Sequence, residues 1–181
     1  MRIEPQRPSH ADGLFAALAD PAAHEFLDER PCGSPQAWRD RIAALARGSG
    51  DPDETWLNWS VLLDGEVVGY TQATLRRPPE STGPRADLAF VLASRVWGRS
   101  VAFEACRQTI ARLSEDHGVT ELDADTHVEN ARSARLLRRL GFAETRVVGE
   151  DRFFRRAARP AEEAPDLKAG TSPPPRREEA P

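Results

Sequence analysis

Residues 86 to 92 constrain this chain more than any other stretch. Their apolar side chains fall on both faces, so Ala86 to Leu92 reads as a strand near the centre of a sheet. The strand runs through a turn, Ser94 to Ser100 with Gly98 inside it, directly into a helix from about Gly98 to His117. Ala102, Ala105, Thr109 and Leu113 mark the inner stripe of that helix, helped by Cys106 and Ile110, and Gly118 stands where a glycine closes a helix. A strand leading straight into a helix aims several backbone N–H groups, and the positive end of the helix dipole, at one spot. That arrangement suits a phosphate or pyrophosphate, and the small residues at 98, 100 and 102 let a ligand approach the backbone. The plainer alternative is an ordinary strand–helix connection with a helpful glycine.

Around this centre the periodicity predicts further elements. Leu14, Phe15 and Leu18 repeat at helical spacing from 11 to 18, and Asp20-Pro21 interrupts them. Ser34-Pro35 opens a second helix carrying Trp38, Ile42 and Leu45, which Gly48 closes. Residues 48 to 54 read as a loop. Trp59, Val61 and Leu63 alternate as a strand, Asp64-Gly65 makes a two-residue hairpin turn, and 67 to 75 is the return strand. A loop from 78 to 84 precedes the central strand. Beyond Gly118 come a short strand at 121 to 126, a helix from about Asn130 to Gly141 with Ser133, Leu136, Leu137 and Leu140 on one face, and a hairpin over 142 to 148 and 152 to 156. The order is ααβββαβαββ, a mixed α/β (α+β) domain.

Its 181 residues suffice for one domain. We place that domain at 1–157. The segment 158–181 is expected to be a disordered Pro/charged tail: six prolines lie between Arg159 and Pro181, and Leu167 is the one large aliphatic there. A net charge of −4 argues against a generic nucleic-acid binder. The two cysteines can build neither a disulfide scaffold nor a zinc quartet. The apolar runs are far too short to span a membrane, and the start has no signal peptide, so a cytoplasmic protein without membrane partners is expected. A P-loop needs a glycine followed by Lys-Ser/Thr, and the chain's only lysine is Lys168, in the tail. A Rossmann turn needs three glycines near the first strand.

Residues 95 to 100, Arg95, Val96, Trp97, Gly98, Arg99 and Ser100, resemble the Gln/Arg-x-x-Gly-x-Gly/Ala loop of the GNAT N-acetyltransferases. Continued to Ala105, with Ala102 and Glu104 in step, the block resembles the form typical of the RimJ/RimL-like branch. Further along, Asn130, Ser133, Leu136, Gly141 and Phe142 resemble that branch's Asn-x-x-Ser-x-x-Leu…Gly-Phe block. The resemblance covers the whole expected domain. It implies a mixed, twisted sheet with splayed central strands that hold acetyl-CoA as acyl donor, and no metal. Backbone amides at Gly98, Arg99, Ser100, Val101 and Ala102, together with Arg95, are implied to hold the CoA pyrophosphate. The pantetheine arm is implied to add to the edge of the central strand at Val91 and Leu92, with Asn130 on the pantetheine or adenosine side. Ser133 is implied to lie near the thioester sulfur. The chain departs from the family at Ser100, where glycine or alanine is usual, and at Leu137, where many members carry a tyrosine taken to protonate the leaving thiolate. The serine at position 133 is the replacement this branch implies.

Amine attack on a thioester requires a neutral amine. At neutral pH roughly one in ten α-amino groups is neutral, against roughly one in a few thousand lysine side chains. A carboxylate acting directly or through water can take the proton. Asp87 on the central strand and Glu54 before the first predicted strand are the candidates, each with a plain alternative as a solvated charge. Trp38, Trp56 and Trp59 either line an acceptor pocket or fill the core. The expected activity is acetyl transfer from acetyl-CoA to a primary amine, of a protein N-terminus or of a small molecule, by a monomer or homodimer. The alternative is a non-catalytic acyl-CoA-binding sensor or scaffold module of the same fold, which Leu137 keeps open.

Overall fold

The computed structural model describes residues 1–27, 31–78 and 83–158. Eleven helices and strands follow in chain order: β1 (Arg2–Pro5), α1 (Ala11–Ala17), α2 (Pro35–Ala46), β2 (Glu54–Leu63), β3 (Glu66–Arg76), β4 (Arg85–Leu92), α3 (Val101–His117), β5 (Glu121–His127), α4 (Ala131–Arg139), β6 (Ala143–Val148) and β7 (Asp151–Ala157). Short 3-10 turns join some of them, including Pro21–His24 and Ser94–Val96. The expected loop at 78 to 84 falls largely outside the described residues. So does the expected tail, except for Ala158, which is buried and donates its amide to Thr120 O at 2.9 Å.

The strands form one sheet in the order β1-β2-β3-β4-β5-β7-β6. β4 is its middle strand, as its two-faced apolar pattern requires. Asp64 (φ 52°) and Gly65 (φ 88°) both take the left-handed conformation of a tight hairpin turn between β2 and β3. β1 was not anticipated. Only Ile3 of its four residues is buried, and a four-residue edge strand leaves no periodic signal. The helix expected from Gly98 starts at Val101, and the one expected to reach Gly141 ends at Arg139.

Two cores sandwich the sheet. On one face α3 and α4 cover Trp59, Val61, Leu88, Leu122 and Phe154, with Leu113 and Leu137 fully buried between. On the other, α1 and α2 bring Leu14, Leu18, Trp38 and Ile42 over Val91 and Ala93. Burying such a side chain is worth about 1.5–3 kcal/mol. The second cover is short. It shields Val91 but leaves Asp87 and Ala89, on the same face of β4, exposed.

Candidate active site

β4 and β5 run parallel and pair only over Arg85–Asp87 and Glu121–Asp123. Beyond Asp87 they part. β4 stays paired with β3 to Leu92, and β5 stays paired with β7 to His127. The ladder is therefore incomplete on one edge of β4, where main-chain groups face a gap. Alternation along the strand tells which groups these are. The Ala93 amide donates to Val68 O in β3, so the Leu92 carbonyl points the other way, into the gap, where it accepts the Trp97 indole N–H at 3.0 Å. Leu88 and Phe90 share that direction. The Val91 carbonyl instead lies against Gly69 of β3, and its side chain joins the α1–α2 core. Of the pair expected from the sequence, Leu92 thus faces the gap and Val91 does not. Residues 88 and 90 were missed because edge direction depends on which neighbour a strand lacks.

The turn after β4 ends in a cluster of amides. Gly98 (φ 76°) and Ser100 (φ 59°) both adopt the left-handed conformation, and a Cβ added at Gly98 would meet nothing within 4 Å. Ser100 caps α3 without a side-chain hydrogen bond. The Glu104 amide reaches Ser100 O at 3.1 Å, so the amides of Val101, Ala102 and Phe103 precede the first intrahelical bond. They point out of the helix start beside the bare backbone of Gly98. The Arg95 and Arg99 side chains line a cleft of about 390 Å³ with Leu63, Asp64 and Glu66, and Arg95 lies 3.7 Å from Glu66.

The two sequence blocks, far apart in the chain, meet in space. The Arg132 guanidinium sits 3.2 Å from the Trp97 ring centroid, and Arg139 lies over Phe103 at 4.6 Å. The first contact sets the start of α4 beside the turn that leads into α3, and the second sets the end of α4 against the first turn of α3. Asn130 caps α4 by accepting the Ser133 amide on Oδ1 at 3.0 Å. That bond commits one face of Asn130 to the helix and holds Ser133, which is half-buried, in its first turn. Leu137, one turn on, belongs wholly to the core. The connection after α1 touches both parting strands. Asp20 accepts the Ser94 hydroxyl just past β4, and Phe26 stacks on His127 at the end of β5, ring centroids 5.4 Å apart. The Ser94 hydroxyl and the Ala22 amide hold the Asp20 carboxyl below its ordinary pKa.

A second cleft, of about 430 Å³, opens on the uncovered part of the α1–α2 face. Arg41, Ala44 and Leu45 of α2 form one wall, and Glu54, Trp56, Gln72, Thr74 and Arg76 the other. Trp38 and Trp59 are buried, so of the three tryptophans considered only Trp56 lines it. The structure brings both candidate bases to this place. Arg76 bridges them, with Nη2 2.8 Å from Glu54 Oε2 and Nη1 on Asp87 Oδ2. Arg76 itself carried no sequence signal. Cys106 is fully buried, and burial pushes its thiol up to about 12, which suits packing and not nucleophilic attack. Among the described residues no helix is long and apolar enough to cross a membrane.

Solved structures share this architecture. A ribosomal-protein-S5-alanine acetyltransferase from Vibrio fischeri matches with a TM-score of 0.65 at 15% identity, over 86% of this chain and 92% of the other. A ribosomal-protein-alanine N-acetyltransferase from Brucella melitensis matches with a TM-score of 0.66 at 20% identity, over 87% and 99%. An aminoglycoside acetyltransferase in complex with coenzyme A reaches a TM-score of 0.68 at 18% identity, over 86% and 93%. At these identities the likeness is one of fold. No curated protein matches the chain. A family model described as an acetyltransferase (GNAT) domain, however, matches residues 1–143. With that match spanning most of its length, the chain belongs to the GNAT acetyltransferases and is an acyltransferase.

Proposed function

We propose that the protein transfers the acetyl group of acetyl-CoA to a primary amine by direct attack in a ternary complex. The observation that carries this reading is the parting of β4 from β5 after Asp87, at whose far end the α3 amides converge. An extended chain fits the open edge at Leu88, Phe90 and Leu92, and a pyrophosphate fits the amides from Gly98 to Ala102. Acetyl-CoA supplies the activated thioester. The amine lone pair forms the new C–N bond, the C–S bond breaks, and CoA departs as a thiolate. Asp87 stands where the strands part and takes the proton that the amine loses. Ser133, in the first turn of α4, donates its hydroxyl proton to the thiolate and regains one from water.

The acceptor is an amine docked in the cleft between α2 and the β2–β3 face. A protein N-terminal α-amine and a small-molecule amine both suit this reading, since structures of the same fold are named for each. A panel of N-terminal peptides, aminoglycosides and simple amines, read by release of free thiol, decides between them. We expect steady thiol release with one class. Tight CoA binding with no release from any amine would instead support the sensor reading. Ser133→Ala is expected to lower kcat by roughly tenfold to a hundredfold at constant CoA affinity. Equal loss of binding and turnover would make Ser133 a ligand contact.

A further inference from the structure

A charged group of the cleft, to which the acetyl-transfer reading gives no part, touches both candidate bases. Arg76, the last residue of β3, donates through Nε to Glu54 Oε2 at 2.9 Å, approaches the same oxygen through Nη2 at 2.8 Å, and reaches Asp87 Oδ2 through Nη1. The other Glu54 oxygen accepts the Trp56 indole N–H at 2.6 Å. Both Glu54 oxygens are therefore engaged, and its side chain is only 18% exposed. Among the described residues Asp87 is held at one oxygen; it is 49% exposed and occupies the last β4 position paired with β5. The two carboxylates thus differ in what they can still do. Glu54 already carries a donor on each oxygen. Asp87 keeps one oxygen for an amine proton, and a guanidinium fixes where that oxygen points.

We infer that Arg76 is a positioning residue, clamped onto Glu54 and Trp56 at one end and aiming the Asp87 carboxylate into the β4–β5 parting at the other. Glu54 is then the anchor of the clamp and not the base. The inference rests on the acetyl-transfer reading with Asp87 as proton acceptor. It differs from a surface ion pair, which contributes little and would leave catalysis alone. An aspartate released from the guanidinium spreads over several staggered rotamers, and only some of them face the amine.

A double-mutant cycle tests this, with kcat, the acceptor KM and the CoA Kd measured for each variant. Arg76→Met is expected to lower kcat about tenfold and Asp87→Asn about a hundredfold, with CoA affinity unchanged in both. The double variant should match Asp87→Asn alone within about twofold, because a clamp without its aspartate has nothing to aim. Arg76→Lys, which keeps the charge, should recover part of the loss. Glu54→Gln should resemble Arg76→Met. Additive losses, or a Glu54→Gln loss larger than that of Asp87→Asn, would overturn the assignment. A second arm needs no turnover. The Trp56 indole N–H resonance reports the Glu54 carboxylate directly, and Arg76→Met should move it while the other three indole resonances stay in place. An unmoved Trp56 resonance overturns the clamp even in an active enzyme. A wild-type protein that releases no thiol with any amine overturns the acetyl-transfer reading instead, and with it the aiming role, whatever the resonance does.

Discussion

Gly98 and Ser100 occupy the same left-handed region with opposite costs. A glycine enters it freely, whereas an L-residue pays about 1–2 kcal/mol. Ser100 tolerates that cost while leaving the amides of Val101 and Ala102 uncovered. At Gly98 the space above the backbone is open, so a methyl group there disturbs no neighbour and stands where a ligand would approach. Gly98→Ala should therefore fold, lose about 1 kcal/mol of stability from its positive φ, and bind CoA at least tenfold more weakly by calorimetry. Undiminished affinity in the folded variant would remove the loop from the cofactor site. Alanine is the better probe than valine, since a β-branched side chain adds strain of its own at φ 76°.

Among the elements, β3 does more than pair with its neighbours. Its register against β2 shifts between Val61 and Leu62, with Val61 opposite Gly69 and Leu62 opposite Val67. Val68 is the extra residue of a bulge. Gly69 (φ 149°) follows it where a Cβ would lie 2.7 Å from Leu92 Cα and would collide with Val91 O. Both obstacles are main-chain atoms of β4 and cannot swing aside. Gly69→Ala should cost about 3 kcal/mol, combining the collision with the backbone conformation, read as a lower denaturant midpoint. Because the bulge decides that Arg76 lies opposite Glu54, the same variant should also depress acetyl transfer in whatever fraction remains folded at low temperature.

At the scale of the whole molecule, the connection after α1 ties two layers together through Asp20 and Ser94. The folded state holds the Asp20 carboxyl below its ordinary value of 3.8. A carboxylate lowered in this way stabilises the fold fully above that value. Its contribution fades as pH falls below 3.8 and is gone once pH passes under the folded-state pKa. Asp20→Asn should thus melt lower than wild type at pH 7, and the gap should close in acid. A gap that does not narrow at all as pH falls below 3.8 would assign the effect to packing. At the other end of the chain, the composition beyond Ala158 offers Leu167 as its one large aliphatic. A chain ending at Arg159 should keep its melting temperature within error and still bind CoA.

The local parts of this protein were legible in the sequence. The two-faced apolar run of β4, the Gly98 turn, the stripe of α3, the helix start near Asn130 and the Asp64-Gly65 hairpin each depend on neighbours a few residues apart, whose periodicity and backbone preferences act alone. The motif pair that resembles the GNAT family is local in the same sense. The contacts that assemble the site are not. Counting back from the Asp64-Gly65 turn without a bulge would set Glu54 opposite Leu75. The extra residue at Val68 sets it opposite Arg76 instead, and a one-residue slip turns every side chain to the other face. So Glu54 and Asp87 were each nameable from the sequence, but their sharing of one guanidinium was not. The stacking of Arg132 on Trp97 and the direction of the open β4 edge have the same origin. Short-range sterics and periodicity determine the elements, while register and strand order, set by packing across the whole sheet, determine which side chains meet.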